Sequence, residues 1–179
     1  MSQLSFSTIN INNEELLVAE LEQLGVRYLS RLTNEKVRQM RPPHKLLADL
    51  IQQPSSRVRS ALIALLLARP SYGEHILQAM RQLTHDQAET LKLFYTAAVL
   101  LQREYTSTLQ TFLGADYCWL TDFFSTEFNL PVTNPKEQLK ALATLHQQKT
   151  GMILNWAGTY QNAALHLLRR WELEQIWSL

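Results

Sequence analysis

The sequence predicts an all-α domain, either an irregular helical bundle or a short HEAT-like array of α-hairpins, on three observations. First, Val58–Ala68 reads VRSALIALLLA, and from Ala61 onward it carries no polar side chain. A surface helix shows one apolar stripe, so a run that is apolar on every side reads as a central helix that others wrap. It falls far short of the roughly 20 residues needed to cross a bilayer. Second, helix-start signals recur, at Ser71 with Glu74, Thr84 with Gln87, and Asn134-Pro135-Lys136-Glu137. Third, only Leu4–Ile11 alternates like a strand, and nothing else in the chain is available to pair with it.

In chain order, residues 1–12 read as an extended N-terminal arm ahead of a helix capped by Asn13, with Glu14 and Glu15 in its first turn. Leu17, Leu21, Leu24 and Tyr28 share one face of it, and Gly25 ends or bends it. Pro42-Pro43 opens the next helix, His44–Gln53, and Pro54-Ser55-Ser56 turns it back into the central one. Arg69-Pro70 stops the central helix, and the Ser71/Glu74 box starts another that runs to about Leu83. From Thr84 a long helix continues through Tyr95, Gln102, Leu109 and Phe112 to the break at Gly114. An aromatic segment, Tyr117 to Phe128, precedes the helix that begins at Asn134. Its face is formed by Leu139, Leu142, Ala143 and either Leu145 or His146, and a last helix covers Ile153–Trp177. That makes seven or eight helices in one domain, 1–179.

A chain of 179 residues that is 46% apolar and 18% charged is a globular composition. The single cysteine, Cys118, rules out an internal disulfide and suits a reducing compartment. MSQLSFSTININ has neither the basic start nor the apolar stretch of a signal peptide, and no segment is apolar enough for a membrane span. A cytoplasmic protein, away from membranes, is the expectation. The net charge of +1 hides an asymmetry. Residues 27–69 hold nine basic residues against only Glu35 and Asp49, whereas the segments on either side are net acidic.

Leu46–Ala68 resembles one helical repeat of the HEAT/armadillo type. The matching features are Leu46-Leu47 and Leu50-Ile51 on a first helix, Pro54 in the turn, Val58-Arg59 entering a second, and Ala61, Ala64 and Leu65 within it. The resemblance covers 23 of the 179 residues. Ser71–Leu101 is a degenerate second candidate that lacks the turn proline and the Val-Arg pair. Proteins built on such repeats usually bind other proteins or nucleic acids, so the resemblance implies a binding role.

Nothing in the sequence spells out catalysis. His44, His75, His85, His146 and His166 form no metal-ligand spacing, and the five glycines are isolated. Cys118, between Tyr117 and Trp119, reads as a small buried hydrophobe. No cofactor or metal is expected. Two candidate surfaces remain. One is basic: Arg31, Arg38, Arg41, Lys45, Arg57 and Arg59, with Arg27, Lys36 and Arg69. It is either a solvated face whose arginines bond neighbouring helix ends, or a surface for phosphates or an acidic protein. Arg57 and Arg59 begin a helix, where cations oppose the dipole, which hints at a bound anion. The other is a C-terminal interface of Trp171, Ile176 and Trp177, whereas Trp156 and Tyr160 read as core. The expected function is a non-catalytic binding module, an accessory or neutralising (antitoxin-like) subunit joined to a protein partner in a hetero- or homo-oligomer. The alternatives are a nucleic-acid-binding module working through residues 27–69, and an enzyme with an unrecognised site.

Overall fold

The computed structural model describes residues 4–29 and 37–178, with side chains from residue 13 onward. Among these the regular structure is wholly helical. Eight helices follow one another: α1 (Leu4–Gln23), α2 (Pro43–Ile51), α3 (Ser56–Ala68), α4 (Ile76–Met80), α5 (His85–Glu104), α6 (Thr106–Leu113), α7 (Pro135–Thr150) and α8 (Trp156–Trp177). A 3-10 turn, Pro70–His75, joins α3 to α4. No helix among the described residues is long and apolar enough to cross a membrane.

The hub is α3. Every residue from Ala61 to Leu67 is fully buried, and α2, α5 and α8 pack around it. That follows directly from a helix with no polar face, which must find neighbours on all sides. Its start is fixed by Ser55, whose hydroxyl accepts from the Val58 N–H at 3.4 Å. The box at the start of α5 also forms, with Gln87 N–H donating to Thr84 Oγ1 at 3.4 Å and Thr84 N–H to Gln87 Oε1 at 3.0 Å. At α7 the Glu137 N–H reaches Asn134 Oδ1 at 3.0 Å.

Several elements depart from expectation. From Leu4 onward the arm is helix, continuous with the helix expected to begin at Asn13. Once Leu17 and Leu21 have packed, each further turn adds backbone bonds without a new nucleation cost. Asn13 therefore lies inside α1, where its Oδ1 accepts from Arg41 Nη2 at 2.8 Å instead of capping. Gly25, at φ 101°, ends α1 by letting Val26 N–H turn back to Leu21 C=O at 2.9 Å.

The Ser71/Glu74 box is not formed, and that stretch is the tight 3-10 turn. Tertiary packing overrides the local signal. A Cβ at Gly73 would stand 2.7 Å from Leu120 Cδ2, so the turn lies flush against the aromatic segment. The long helix breaks at Tyr105, where φ is −101° and ψ 24°, and the Thr106 hydroxyl donates to the carbonyls of Gln102 and Arg103.

The aromatic segment has no regular structure but is firmly held. Gln102, almost wholly buried on α5, donates to Tyr117 Oη and to Cys118 C=O, both at 2.8 Å. Its Oε1 accepts from Leu120 N–H at 2.8 Å, and Tyr95 Oη donates to Thr121 C=O at the same distance. Tyr117, Leu120 and Phe124 thereby point inward. Cys118 is exposed, contrary to its reading as a buried hydrophobe, because its neighbours take the inward positions.

Candidate functional site

Part of the basic segment is engaged within the chain. Arg41 sits between α1 and α2 with Nη1 at 3.3 Å from Glu20 Oε1 and Nε at 3.2 Å from Asp49 Oδ2. Its backbone N–H also donates to Glu20 Oε2 at 3.1 Å. Lys45 pairs with Asp49 at 3.1 Å. Arg57 Nη2 donates to Tyr28 C=O at 3.2 Å, and Arg59 Nη1 to Gln53 C=O at 2.8 Å. Arg69 Nε reaches Leu24 C=O at 3.2 Å.

These contacts account for cations at the start of α3. Gln53 and Pro54 carry the carbonyls just past the C-terminal end of α2, where the helix dipole favours positive charge. Each guanidinium thus meets a backbone oxygen, Arg57 that of Tyr28 and Arg59 that of Gln53. Arg38 is exposed, and Arg31 lies outside the described residues.

The C-terminal set divides. Trp171 is half-buried against the body, its ring 5.5 Å from Phe112 and its Nε1–H donating to Gly25 C=O at 3.4 Å. It is a wall of the structure and not a free anchor, because α8 must cover the ends of α1 and α6. With Leu24, Arg69, Phe112 and Leu113 it lines a groove of about 610 Å³. Glu174 ties the same end to Arg27 at 3.2 Å and to Arg170 at 3.1 Å.

The opposite face of α8 is different. Trp171, Glu174, Gln175 and Ser178 line the groove, so helical spacing turns Leu173, Ile176 and Trp177 away from it. Ile176 is 63% and Trp177 84% exposed, and Leu165 and Leu173 are also exposed. Leu173, Ile176 and Trp177 are helical neighbours, whereas the exposed Arg169 and Glu172 separate them from Leu165. This cluster at the end of α8 is the candidate interaction site.

A second constellation was only partly visible in the sequence. His146 on α7 is fully buried, stacked on Trp156 with ring centroids 3.5 Å apart and planes 11° apart. Its Nδ1 lies 2.6 Å from Tyr160 Oη. Burial, and then the charge of Arg59, push the His146 pKa down to about 4, so the ring is neutral at physiological pH. Trp156 and Tyr160 are core, as the sequence reading has them. The pairing with His146 brings together residues from two helices, a juxtaposition that no single-helix periodicity encodes. Among the described residues no three of His, Cys, Asp or Glu are grouped so as to hold a metal ion. No protein-family model matches the chain, and neither a curated protein nor a solved structure matches it.

Proposed function

We propose that this chain is a non-catalytic helical binding subunit, an accessory or neutralising partner within a cytoplasmic protein complex. The observation that carries the reading is the outward face of α8, where Leu165, Leu173, Ile176 and Trp177 are exposed on a helix whose other side already packs on the body. Single exposed apolar residues are ordinary, but Leu173, Ile176 and Trp177, exposed together at one end of a helix, mark a place where another surface is buried. Its occupant is an amphipathic helix of a partner protein, laid along α8 with its own apolar stripe inward. The repeat-like hairpin formed by α2 and α3 supports a binding role by its resemblance to HEAT/armadillo units. The nucleic-acid reading draws less support, because Arg41, Lys45, Arg57, Arg59 and Arg69 have partners inside the chain.

The test compares the wild-type chain with the double variant Ile176→Ser, Trp177→Ser in native lysate. Both side chains are largely in solvent, so helicity by circular dichroism should be unchanged. A stoichiometric complex recovered with the wild type should weaken by roughly thirtyfold or more in the variant, the cost of losing a hot-spot aromatic. The same complex recovered equally with both would overturn the reading, and a homodimer in light scattering would make the partner a second copy.

A further inference from the structure

The outer side of α8 carries a pattern that its apolar residues alone do not explain. Leu165, Arg169, Glu172 and Ile176 are all exposed. They follow one another in steps of four, three and four residues. At about 100° per residue, such steps hold them within one narrow strip along the helix, the spacing of a coiled-coil seam. None of the four belongs to the set that α8 buries against the body, among them Tyr160, Ala164, Leu167 and Leu168. Arg169 and Glu172 make no ion pair among the described residues, whereas Arg170 and Glu174 on the same helix do.

The strip is complementary to itself. Along the helix, Leu165 and Ile176 stand equally far from the point midway between Arg170 and Trp171, and so do Arg169 and Glu172. A two-fold axis through that point lays α8 of a second copy antiparallel on the first. Leu165 then meets Ile176 of the second copy, and Arg169 meets Glu172 of the second copy. Each contact occurs twice, as an isologous interface requires. A parallel pairing in register would instead set Arg169 against Arg169 and Glu172 against Glu172, and facing like charges are destabilising.

We infer that the occupant of this strip is a second copy of the same chain. The two copies pair through α8 in an antiparallel two-fold dimer, with two Leu165–Ile176 contacts on either side of two Arg169–Glu172 ion pairs. The inference rests on the reading of α8 as a binding helix and names its partner there. Charge complementarity selects this occupant. A foreign helix would need an acid and a base at the matching spacing, whereas a second copy supplies both by symmetry. The seam from Leu165 to Ile176 is about 17 Å long at the rise of an α-helix. That is at the small end of specific interfaces, so the dimer should dissociate at about 10–100 μM. Trp177 stands about 100° round the helix from Ile176 and lies outside the seam.

Sedimentation velocity of the full chain tests the pairing. Between about 1 and 500 μM the species should shift reversibly from one chain, 20.7 kDa, to two. Arg169→Glu and Glu172→Arg, each made alone, should weaken dimerisation about tenfold or more, because both ion pairs turn repulsive at once. The double variant Arg169→Glu, Glu172→Arg restores both pairs with their signs exchanged, and it should return to within about threefold of the wild type. Both positions are exposed, so circular dichroism should be unchanged in every variant. A single chain throughout the concentration range would overturn the inference, a result that needs no variant to fold. So would single variants that dimerise like the wild type, or a double variant no better than the singles. A monomeric chain whose complex in lysate is still lost with Ile176→Ser, Trp177→Ser would overturn the second copy alone and leave the binding reading in place.

Discussion

Arg41 Nη1 lies 3.3 Å from Oε1 of Glu20, a residue only 2% exposed. This pair joins α1 to the Pro42-Pro43 turn and gives one member of the basic segment a structural task. Burial raises the Glu20 pKa, and the hydrogen bond and charge from Arg41 oppose that rise, so the carboxylate depends on its partner. Arg41→Gln should therefore cost about 3–5 kcal/mol, the usual penalty for removing one half of a buried pair. Arg38→Gln, at an exposed position, should stay within about 0.5 kcal/mol. Urea midpoints of the two variants provide the comparison, and equal shifts would show that Arg41 is as idle as Arg38.

The centre of the fold is tested by Leu65→Asp. Leu65 is fully buried among α2, α5 and α8, so the carboxylate has neither water nor a cation to meet. A loss of several kcal/mol, comparable with the whole stability of a domain, is expected. A soluble Leu65→Asp protein that melts cooperatively would remove α3 from its central role.

Gln102 should matter more than its place on an apolar stripe suggests. Gln102→Leu keeps the volume but leaves Leu120 N–H and Cys118 C=O without the partners they have at 2.8 Å. Each orphaned group costs about 1–3 kcal/mol. The segment from Tyr117 to Phe128 should then become the first site of limited proteolysis, with a lower melting temperature. Unchanged cleavage and unchanged melting would mean that aromatic packing alone holds the segment.

His146 should give the protein an acid-sensitive limb. Its pKa is about 4 when folded and about 6.5 when unfolded. Between these values the unfolded chain binds a proton that the folded chain does not. The stability contributed by neutral His146 is therefore complete above pH 6.5 and declines as pH falls towards 4, by on the order of 3 kcal/mol in all. His146→Gln should be less stable at neutral pH yet lose less on acidification. Denaturant midpoints of both proteins at pH 7 and pH 4.5 measure the difference. Parallel acid losses in the two proteins would exclude His146 as the titrating group.

The helical class, the identity of α3 as the hub, and the starts of α5 and α7 are legible in the sequence. These are local matters. A cap is decided by atoms three residues apart, as at Thr84 with Gln87 and Asn134 with Glu137, and a run without polar side chains admits only a buried helix. The tertiary structure decided the roles of the polar residues. Arg57 and Arg59 look like an anion site in the sequence, but their partners are carbonyls of Tyr28 and Gln53, and a backbone oxygen has no signature in the residue that carries it. Ser71 carries a helix-start signal that the contact of Gly73 with Leu120 overrides. Trp171 and Trp177 are alike as letters, and only the direction in which α8 lies on the body turns one inward and the other out. His146 meets Trp156 and Tyr160 because α7 and α8 pack together, which periodicity along a single helix cannot record.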